Sequence, residues 1–261
     1  MTPDQMRRAQ ALLYKHWQDG TQIATLPADL VPADRAEAYR VQALIETYSS
    51  QPLFGWKIAA TSVAGQQHIG VDGPLAGRIL AERVIPDGGV CPLGNNLMKV
   101  AELEFVFRMG EDLRPRRKPY SQEEVLACVS SLHPGIEIPD SRFRDFATAG
   151  MAQLVADNAC AHLFVLGRTA TIDWRAIDLA AHTVGAFVDG RHVGDGLGAN
   201  VLGDPRIALT WLANELSRLG VGLKRDEVVT TGTCIKPLAI APGTHVAGDF
   251  GTIGRVSLSI S

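Results

Sequence analysis

Glu102 and Glu104 stand two positions apart in the run Ala101-Glu102-Leu103-Glu104-Phe105-Val106-Phe107. Alternate side chains of a β-strand share a face, so a strand here aims both carboxylates one way and Leu103 and Phe105 the other. Two adjacent acids repel each other and are costly to bury unpaired. A divalent cation removes both problems. Glu137, in the short apolar run Ile136-Glu137-Ile138 after His133-Pro134-Gly135, is a further candidate ligand. Three carboxylates completed by water form a hard, all-oxygen site suited to Mg²⁺ or Mn²⁺. Spacing alone favours a plainer account, because Glu-x-Glu is common: solvated glutamates on an exposed strand face.

Lys57 lies in the apolar run Phe54-Gly55-Trp56-Lys57-Ile58-Ala59. Facing the carboxylates, it would be a cation beside an anionic substrate, or a proton donor. Snorkelling to the surface is the commoner fate of such a lysine. Asp157-Asn158 suits a strand-entry turn; its functional reading sets backbone amides and Asn158 against a substrate carboxylate. Thr230-Thr231-Gly232-Thr233 is either a turn or an anion-contacting loop with exposed N–H groups. Gly194-Asp195-Gly196-Leu197-Gly198 has no βαβ unit around it, so these glycines are read as turns rather than a dinucleotide loop. No P-loop and no Gly-x-Ser-x-Gly elbow is present, and no histidines fall in a metal-type pair. His133, close to Glu137, is the histidine to keep in view.

The elements that must position these groups follow from local pattern. Thr2-Pro3-Asp4-Gln5 predicts a capped helix with Leu12, Leu13 and Trp17 inward and Gly20 as its stop. A second helix is predicted from about Pro32 to Tyr48, with Tyr39, Val41, Leu44 and Ile45 inward. From Phe54 the chain changes to short β-like runs broken by Gly and Pro. Strands are expected at Phe54–Ala59, Val84–Ile85, Met98–Phe107, Ile136–Ile138, Ala161–Leu166, Glu227–Thr231, Thr244–Ala247 and Thr252–Ile260. Helices are expected at Ser62–Ile69, from the capping box Ser121-Gln122-Glu123-Glu124 through Ser131, and from Asp204-Pro205 to Leu219. Asp189-Gly190 predicts a type I′ hairpin within Gly185–Val193. Phe143–Leu154 reads as loop and short helix. Strands and helices do not alternate regularly, which disfavours a doubly wound sheet. The expectation is an α+β chain: a mixed, mostly antiparallel β core over 51–261 with flanking helices and an N-terminal helical lead-in over 1–50, forming one domain.

Composition narrows the class. The chain has 261 residues, 46% hydrophobic and 20% charged, with a formal net charge of -3. Those are the proportions of an ordinary soluble globule with a substantial core. Arg114-Pro115-Arg116-Arg117-Lys118 is the one dense basic run, and its acidic and proline flanks suit a solvated loop rather than a nucleic-acid surface. No apolar run spans a membrane and no signal-peptide core is present. Cys91, Cys128, Cys160 and Cys234 are scattered, which fits a reducing cytoplasm.

Taken in order, the motifs resemble one family. They are Gly55-Trp56-Lys57-Ile58 with Thr61-Ser62, Gly70-Val71-Asp72 with Pro74 and Gly77, Glu102-Leu103-Glu104, and Pro134-Gly135-Ile136-Glu137 with Asp140-Ser141-Arg142. Ala156-Asp157-Asn158-Ala159, Thr231-Gly232-Thr233 and Gly248-Asp249-Phe250-Gly251-Thr252-Ile253-Gly254 complete the set. The sequence resembles the 2-oxopent-4-enoate hydratases and 4-oxalocrotonate decarboxylases of the fumarylacetoacetate hydrolase superfamily. The resemblance runs from about residue 50 to the end. It implies a Mg²⁺ or Mn²⁺ held by Glu102, Glu104 and Glu137, chelated by an α-keto acid and acting as a Lewis acid for its enolate. It implies Lys57 as acid or electrostatic stabiliser, and substrate contacts at Asp72, Leu75, Asn158, Cys160, Thr231 and Gly232. By analogy it implies a homo-oligomer.

Two departures stand out. Many hydratases carry an acid where this chain has Leu75, which looks more like the decarboxylase branch. Cys160 stands where a serine often follows Asp-Asn-Ala. The leading expectation is a metal-dependent lyase that hydrates a small unsaturated 2-keto acid. The alternatives are decarboxylation of a vinylogous keto diacid, C–C hydrolysis of an acylpyruvate, and a non-catalytic keto-acid binder.

Overall fold

The computed structural model describes residues 1–261. Its elements in chain order are α1 Pro3–Asp19, α2 Arg35–Ala43, β1 Gly55–Ala59, α3 Val63–Ile69, β2 Leu75–Ile79, β3 Val84–Pro86, β4 Val90–Cys91, β5 Val100–Met109, α4 Gln122–Ala127 and β6 Val129–Ile138. There follow α5 Met151–Ala156, β7 Leu163–Leu166, β8 Thr183–Val188, β9 Arg191–Leu197, α6 Pro205–Arg218, β10 Val228–Thr233, β11 Leu238–Ala239, β12 His245–Asp249 and β13 Arg255–Ile260. One sheet of eight strands runs β2-β1-β10-β5-β6-β7-β3, with β11 on β5; a sheet of five runs β4-β13-β12-β8-β9. The β1/β10, β3/β7 and β4/β13 pairs are parallel and the other pairs antiparallel. This is the mixed, mostly antiparallel α+β core expected from the sequence.

The lead-in is built by its caps. Thr2 and Gln5 close a reciprocal capping box, and Gly20 ends α1 in the left-handed region. Asp34 caps α2, which tightens into a 3₁₀ turn over Leu44–Tyr48 where one continuous helix was expected. Ala9, Leu13, Leu26, Leu30 and Val41 then share a cluster with Phe143 and Ala156 from the body of the molecule.

Several boundaries differ from expectation. The helix opened by Ser121 stops at Ala127, and Val129–Ser131 belong instead to β6, a strand of ten residues. Pro134 is tolerated inside it for a local reason. Its carbonyl, and so its missing N–H, faces Gly167, just past the end of β7. Leu75–Ile79, unrecognised in the sequence, is a fully buried strand. Arg78 disguises it: this buried guanidinium binds Glu46 and Gln42 and lies 4.5 Å from the Trp56 ring centroid. Gly194 and Gly196 are not turn residues but lie within β9, where Gly196 packs on the Cys234 carbonyl. The last strand begins at Arg255 because Gly251–Ile253 form a 3₁₀ turn. The Asp189-Gly190 hairpin and the Asp204-capped α6 stand as predicted. No helix is long and apolar enough to cross a membrane, and all four cysteines are free.

α1 is tied to the sheet through Trp17, whose indole N–H donates to His162 Nδ1. Burial, then the nearby Arg142 and Arg83, push the His162 pKa down to about 3. The unfolded chain takes up this proton near pH 6.5 and the folded chain does not. The favourable contribution is therefore complete above about pH 6.5 and is lost as pH falls towards 3. His162→Gln, which keeps an acceptor for Trp17, is expected to flatten the fall in melting temperature across that window. An unchanged acid limb would refute it.

Candidate metal centre

The register of the large sheet assembles the site. Across β5 and β6, Glu102 lies opposite Glu137 and Glu104 opposite Gly135. On β1, Lys57 lies opposite Thr230 of β10 and Gly77 of β2. Opposed residues point to one face, so Lys57, Gly77, Thr230, Gly135 and the three glutamates share a face. Trp56, Ile58, Leu103, Phe105 and Ile136 fill the main core on the other.

Oxygens of Glu102, Glu104 and Glu137 all lie within 4.8 Å of one another. Glu104 and Glu137 are buried, and Glu102 is half-buried. One oxygen of Glu104, Oε2, accepts the Gly232 N–H at 2.7 Å and the Thr230 hydroxyl. Glu137 Oε1 pairs with Lys57 Nζ at 3.0 Å, and Lys57 also donates to the Ala159 carbonyl at 3.0 Å. The remaining oxygens, Glu104 Oε1 and Glu137 Oε2, are buried with no donor from the rest of the chain, and the two carboxyls lie within hydrogen-bond reach of each other. Such orphaned acceptors are costly, and an unseen cation is one of the few physical reasons to retain them.

The electrostatics agree. Burial, reinforced by Glu137, pushes Glu102 up to about 7 against the pull of Lys57. Burial also raises Glu104 well above the carboxylate range, with Glu137 and Glu102 adding to it. Burial raises Glu137 too, outweighing Lys57. For Lys57 burial opposes the charge, but Glu137 and Glu102 lead the groups that hold its pKa above the ordinary lysine value. Fully ionised, three carboxylates and one ammonium leave two negative charges, which one divalent cation matches.

The wall behind Lys57 is a turn in an uncommon conformation. Asn158, Ala159 and Cys160 have φ of 56°, 49° and 61°. Consecutive left-handed residues with side chains are strained and persist only where surroundings hold them. Here the Asn158 side chain takes the Arg78 N–H at 2.6 Å and gives to the Arg78 carbonyl at 2.8 Å. Arg142 clamps both the side chain and the backbone carbonyl of Asp157, and the Ser141 hydroxyl donates to the same carboxylate at 2.8 Å. The clamp is buried, so the turn presents the Ala159 carbonyl to Lys57 at a fixed place.

Gly77 makes this approach feasible. A Cβ there would lie 2.4 Å from the Asn158 carbonyl oxygen and 3.0 Å from the Lys57 methylenes. Gly77→Ala is expected to destabilise the fold by roughly 1–3 kcal/mol and to lower turnover, since backbone must move. Denaturant unfolding together with initial rates checks this; a neutral result in both would remove Gly77 from the site's support.

Of the residues singled out from sequence, Lys57, Glu102, Glu104, Glu137 and Gly232 converge. Cys160 lies close enough to Lys57 for their charges to interact, and burial, with Asp157 adding, pushes its thiol up to about 12. Leu75 is buried at the start of β2, on the Lys57 face by register. Three others make no hydrogen bond or ion pair to this group. The Asn158 side chain bonds both the N–H and the carbonyl of Arg78. The Thr231 hydroxyl donates to the Phe105 carbonyl at 2.9 Å, away from the acids. Asp72 is exposed in the turn after α3 and has neither an ion pair nor a hydrogen bond from its side chain. The Thr230–Thr233 segment is a bulged strand, and the anion that its Gly232 N–H meets is Glu104 itself. His133 is structural, bonded to Ser131 Oγ and the Gly167 carbonyl. Sequence reasoning named Thr230 only within the Thr230–Thr233 run, without a role of its own, and missed the Ala159 carbonyl. Strand alternation could have found Thr230; nothing in the pattern announces a backbone carbonyl.

No family model matches the chain. It is 33% identical to 2-keto-4-pentenoate hydratase of Paraburkholderia xenovorans, across 98% of this chain and 95% of the relative. It is 33% identical to 2-hydroxyhexa-2,4-dienoate hydratase of Comamonas testosteroni, over 75% of this chain and 73% of that protein. Among solved structures it superposes on 4-oxalocrotonate decarboxylase from Pseudomonas putida G7, complexed with magnesium and adipate. That match has a TM-score of 0.90 at 26% identity, over 100% of this chain and 99% of the other. With near-complete coverage by a curated relative, the chain belongs to the 2-keto-4-pentenoate hydratase family.

Proposed function

We propose that the protein is a divalent-metal-dependent hydro-lyase acting on a small unsaturated 2-keto acid of the 2-hydroxypenta-2,4-dienoate type. One observation carries the reading: three carboxylates converge beside a buried ammonium, and two of their oxygens have no donor from the rest of the chain. Glu102, Glu104 and Glu137 would hold Mg²⁺ or Mn²⁺. When bound, the cation supplies a Lewis acid for the substrate carboxylate and 2-oxygen. The rest falls to the chain. Thr230 and Gly232 fix Glu104, so that carboxylate does not reorient as charge develops. Lys57 Nζ, held as an ammonium, sits where a substrate on the carboxylates would lie and gives the proton that the dienol needs at carbon. Water then adds across the conjugated alkene. Gly232, Leu75 and Cys160 would line the space around the substrate, and the buried face excludes bulk water.

A specific observation favours decarboxylation as the second reading. Leu75 places an aliphatic side chain, and no acid, on the Lys57 face. Water has no carboxylate there to activate it. An apolar wall would instead suit loss of a distal carboxylate as CO₂.

Turnover of 2-hydroxypenta-2,4-dienoate and of 4-oxalocrotonate, each with Mg²⁺ and with chelator, separates the two. Metal-dependent loss of dienoate absorbance without CO₂ is expected. CO₂ from oxalocrotonate alone would move the protein to the second reading. Tight oxalate binding with no turnover would leave a keto-acid binder. The reading extends to one catalytic domain over 1–261, a homo-oligomer and a cytoplasmic setting. The cluster shared by the lead-in and the body, and four unpaired thiols, support the first and last of these.

A further inference from the structure

A cavity of about 170 Å³ lies where the end of α1 meets the Pro92–Asn96 loop and the starts of the segments after β6 and before β7. Its lining includes Trp17, Arg83, Asn95, Asp140, Arg142 and His162, and no residue of the acidic centre. Two guanidinium carbons lie near the Trp17 ring centroid, Arg83 at 4.2 Å and Arg142 at 5.1 Å. Their charge balance differs. Arg142 is paired with the buried Asp157. Arg83 is half-buried and has no carboxylate within 4.0 Å and no acceptor for its guanidinium in the chain; Glu82, the one acid whose charge reaches it, is bonded to Ser49 and Ser50 instead.

The imidazole beside them adds a donor. Indole N–H groups only donate, so His162 Nδ1 accepts from Trp17 and the neutral ring carries its proton on Nε2. That N–H has no partner in the chain. The charges facing His162 are those of Arg142 and Arg83, with no acid among them. The one carboxylate in the lining, Asp140, is turned to the Leu97 amide at 2.8 Å and does not count among the charges that act on Arg83. An unmatched guanidinium, a second beside it and a free imidazole N–H therefore converge on an aromatic floor.

We infer that this cavity is a second ligand site, separate from the acidic centre, and that it binds a small oxyanion, a carboxylate or inorganic phosphate, on the Arg83 fork. Guanidinium presents paired donors that match two oxygens of either anion. The volume admits a ligand of a few heavy atoms and not a dienoate with a long tail. The site also touches the Lys57 wall, because the same Arg142 lines the cavity and clamps Asp157.

Calorimetric titration of the whole protein with acetate, and separately with inorganic phosphate, tests this. Chelator is present throughout, so that neither anion is drawn to a cation at the acidic centre. Saturable binding of at least one anion is expected, weakened at least tenfold in Arg83→Gln and partly restored in Arg83→Lys. Arg83 has no ion pair or hydrogen bond to lose, only its packing over Trp17, so the Gln variant should keep the wild-type circular dichroism and melt no more than a few degrees lower. Whichever anion binds more tightly identifies the source. Binding unaffected by Arg83→Gln, or no saturable heat with either anion, overturns the inference. So does a change of sedimentation coefficient in Arg83→Gln, because the guanidinium would then be matched by an acid of a second copy.

Discussion

Glu104→Gln is expected to lower turnover by roughly 10²–10³-fold or more, the size that follows from losing several kcal/mol of charge stabilisation at a metal site. The substitution is nearly isosteric. Its amide oxygen still accepts from Thr230 and Gly232, so the strand bulge that holds residue 104 keeps its bonds. What disappears is one negative charge and the orphaned Oε1. The consequence for stability should therefore reverse with metal. In chelator the wild type carries three crowded acids around one lysine, and removing one relieves repulsion and desolvation, so the variant should melt at or above the wild type. In excess Mg²⁺ the wild type gains the linkage term from binding and the variant gains less, so the order inverts. Melting curves with and without Mg²⁺, beside initial rates, read both effects. Full turnover in the variant, or metal stabilisation equal to that of the wild type, would sink the assignment of Glu104.

Much of this site was legible because strands have a period of two. Glu102-Leu103-Glu104 could sort only one way on a sheet with one apolar face, and Leu103 and Phe105 went to the core as the pattern demanded. Pairing of Glu137 with Glu102 was not legible from spacing, since register between β5 and β6 depends on the intervening turn and helix. It entered through the ordered motifs. The parts that stayed hidden share a cause. β2 hides behind Gly77 and Arg78, because a buried arginine reads as surface until its partners Glu46, Gln42 and Trp56 are known. Asn158 looked like a ligand because polar residues near a site invite that reading. Its side chain also braces the left-handed turn against the Arg78 backbone, a structural bond that spacing does not announce. A bulge between Thr230 and Thr233 decides which hydroxyl faces Glu104, and bulges leave little trace in sequence.

Lys57→Met is expected to reduce kcat by roughly 10²–10⁴-fold, the range for removing a positioned proton donor, while leaving the metal in place. Methionine fills the channel between Gly77 and the Asn158–Cys160 turn without a charge. The divalent ion should then bind no more weakly than in the wild type, because Glu137 loses its competing ammonium. That separates the variant from Glu104→Gln, in which rate and metal affinity fall together. Lys57→Arg supplies the sharper test. A guanidinium keeps the positive charge but does not release a proton near neutral pH. It is also broader than the space beside Gly77, where the lysine methylenes already lie 3.0 Å from the position of an added Cβ. If Lys57 acts by moving a proton, arginine should not rescue. If it acts only as a fixed cation, arginine should restore a measurable part of kcat wherever the fold accepts it. Circular dichroism and metal titration of the Arg variant tell a failed fold from failed chemistry. A well-folded, metal-binding Arg variant with substantial turnover would assign Lys57 to electrostatic stabilisation and send the search for the proton donor to a bound water.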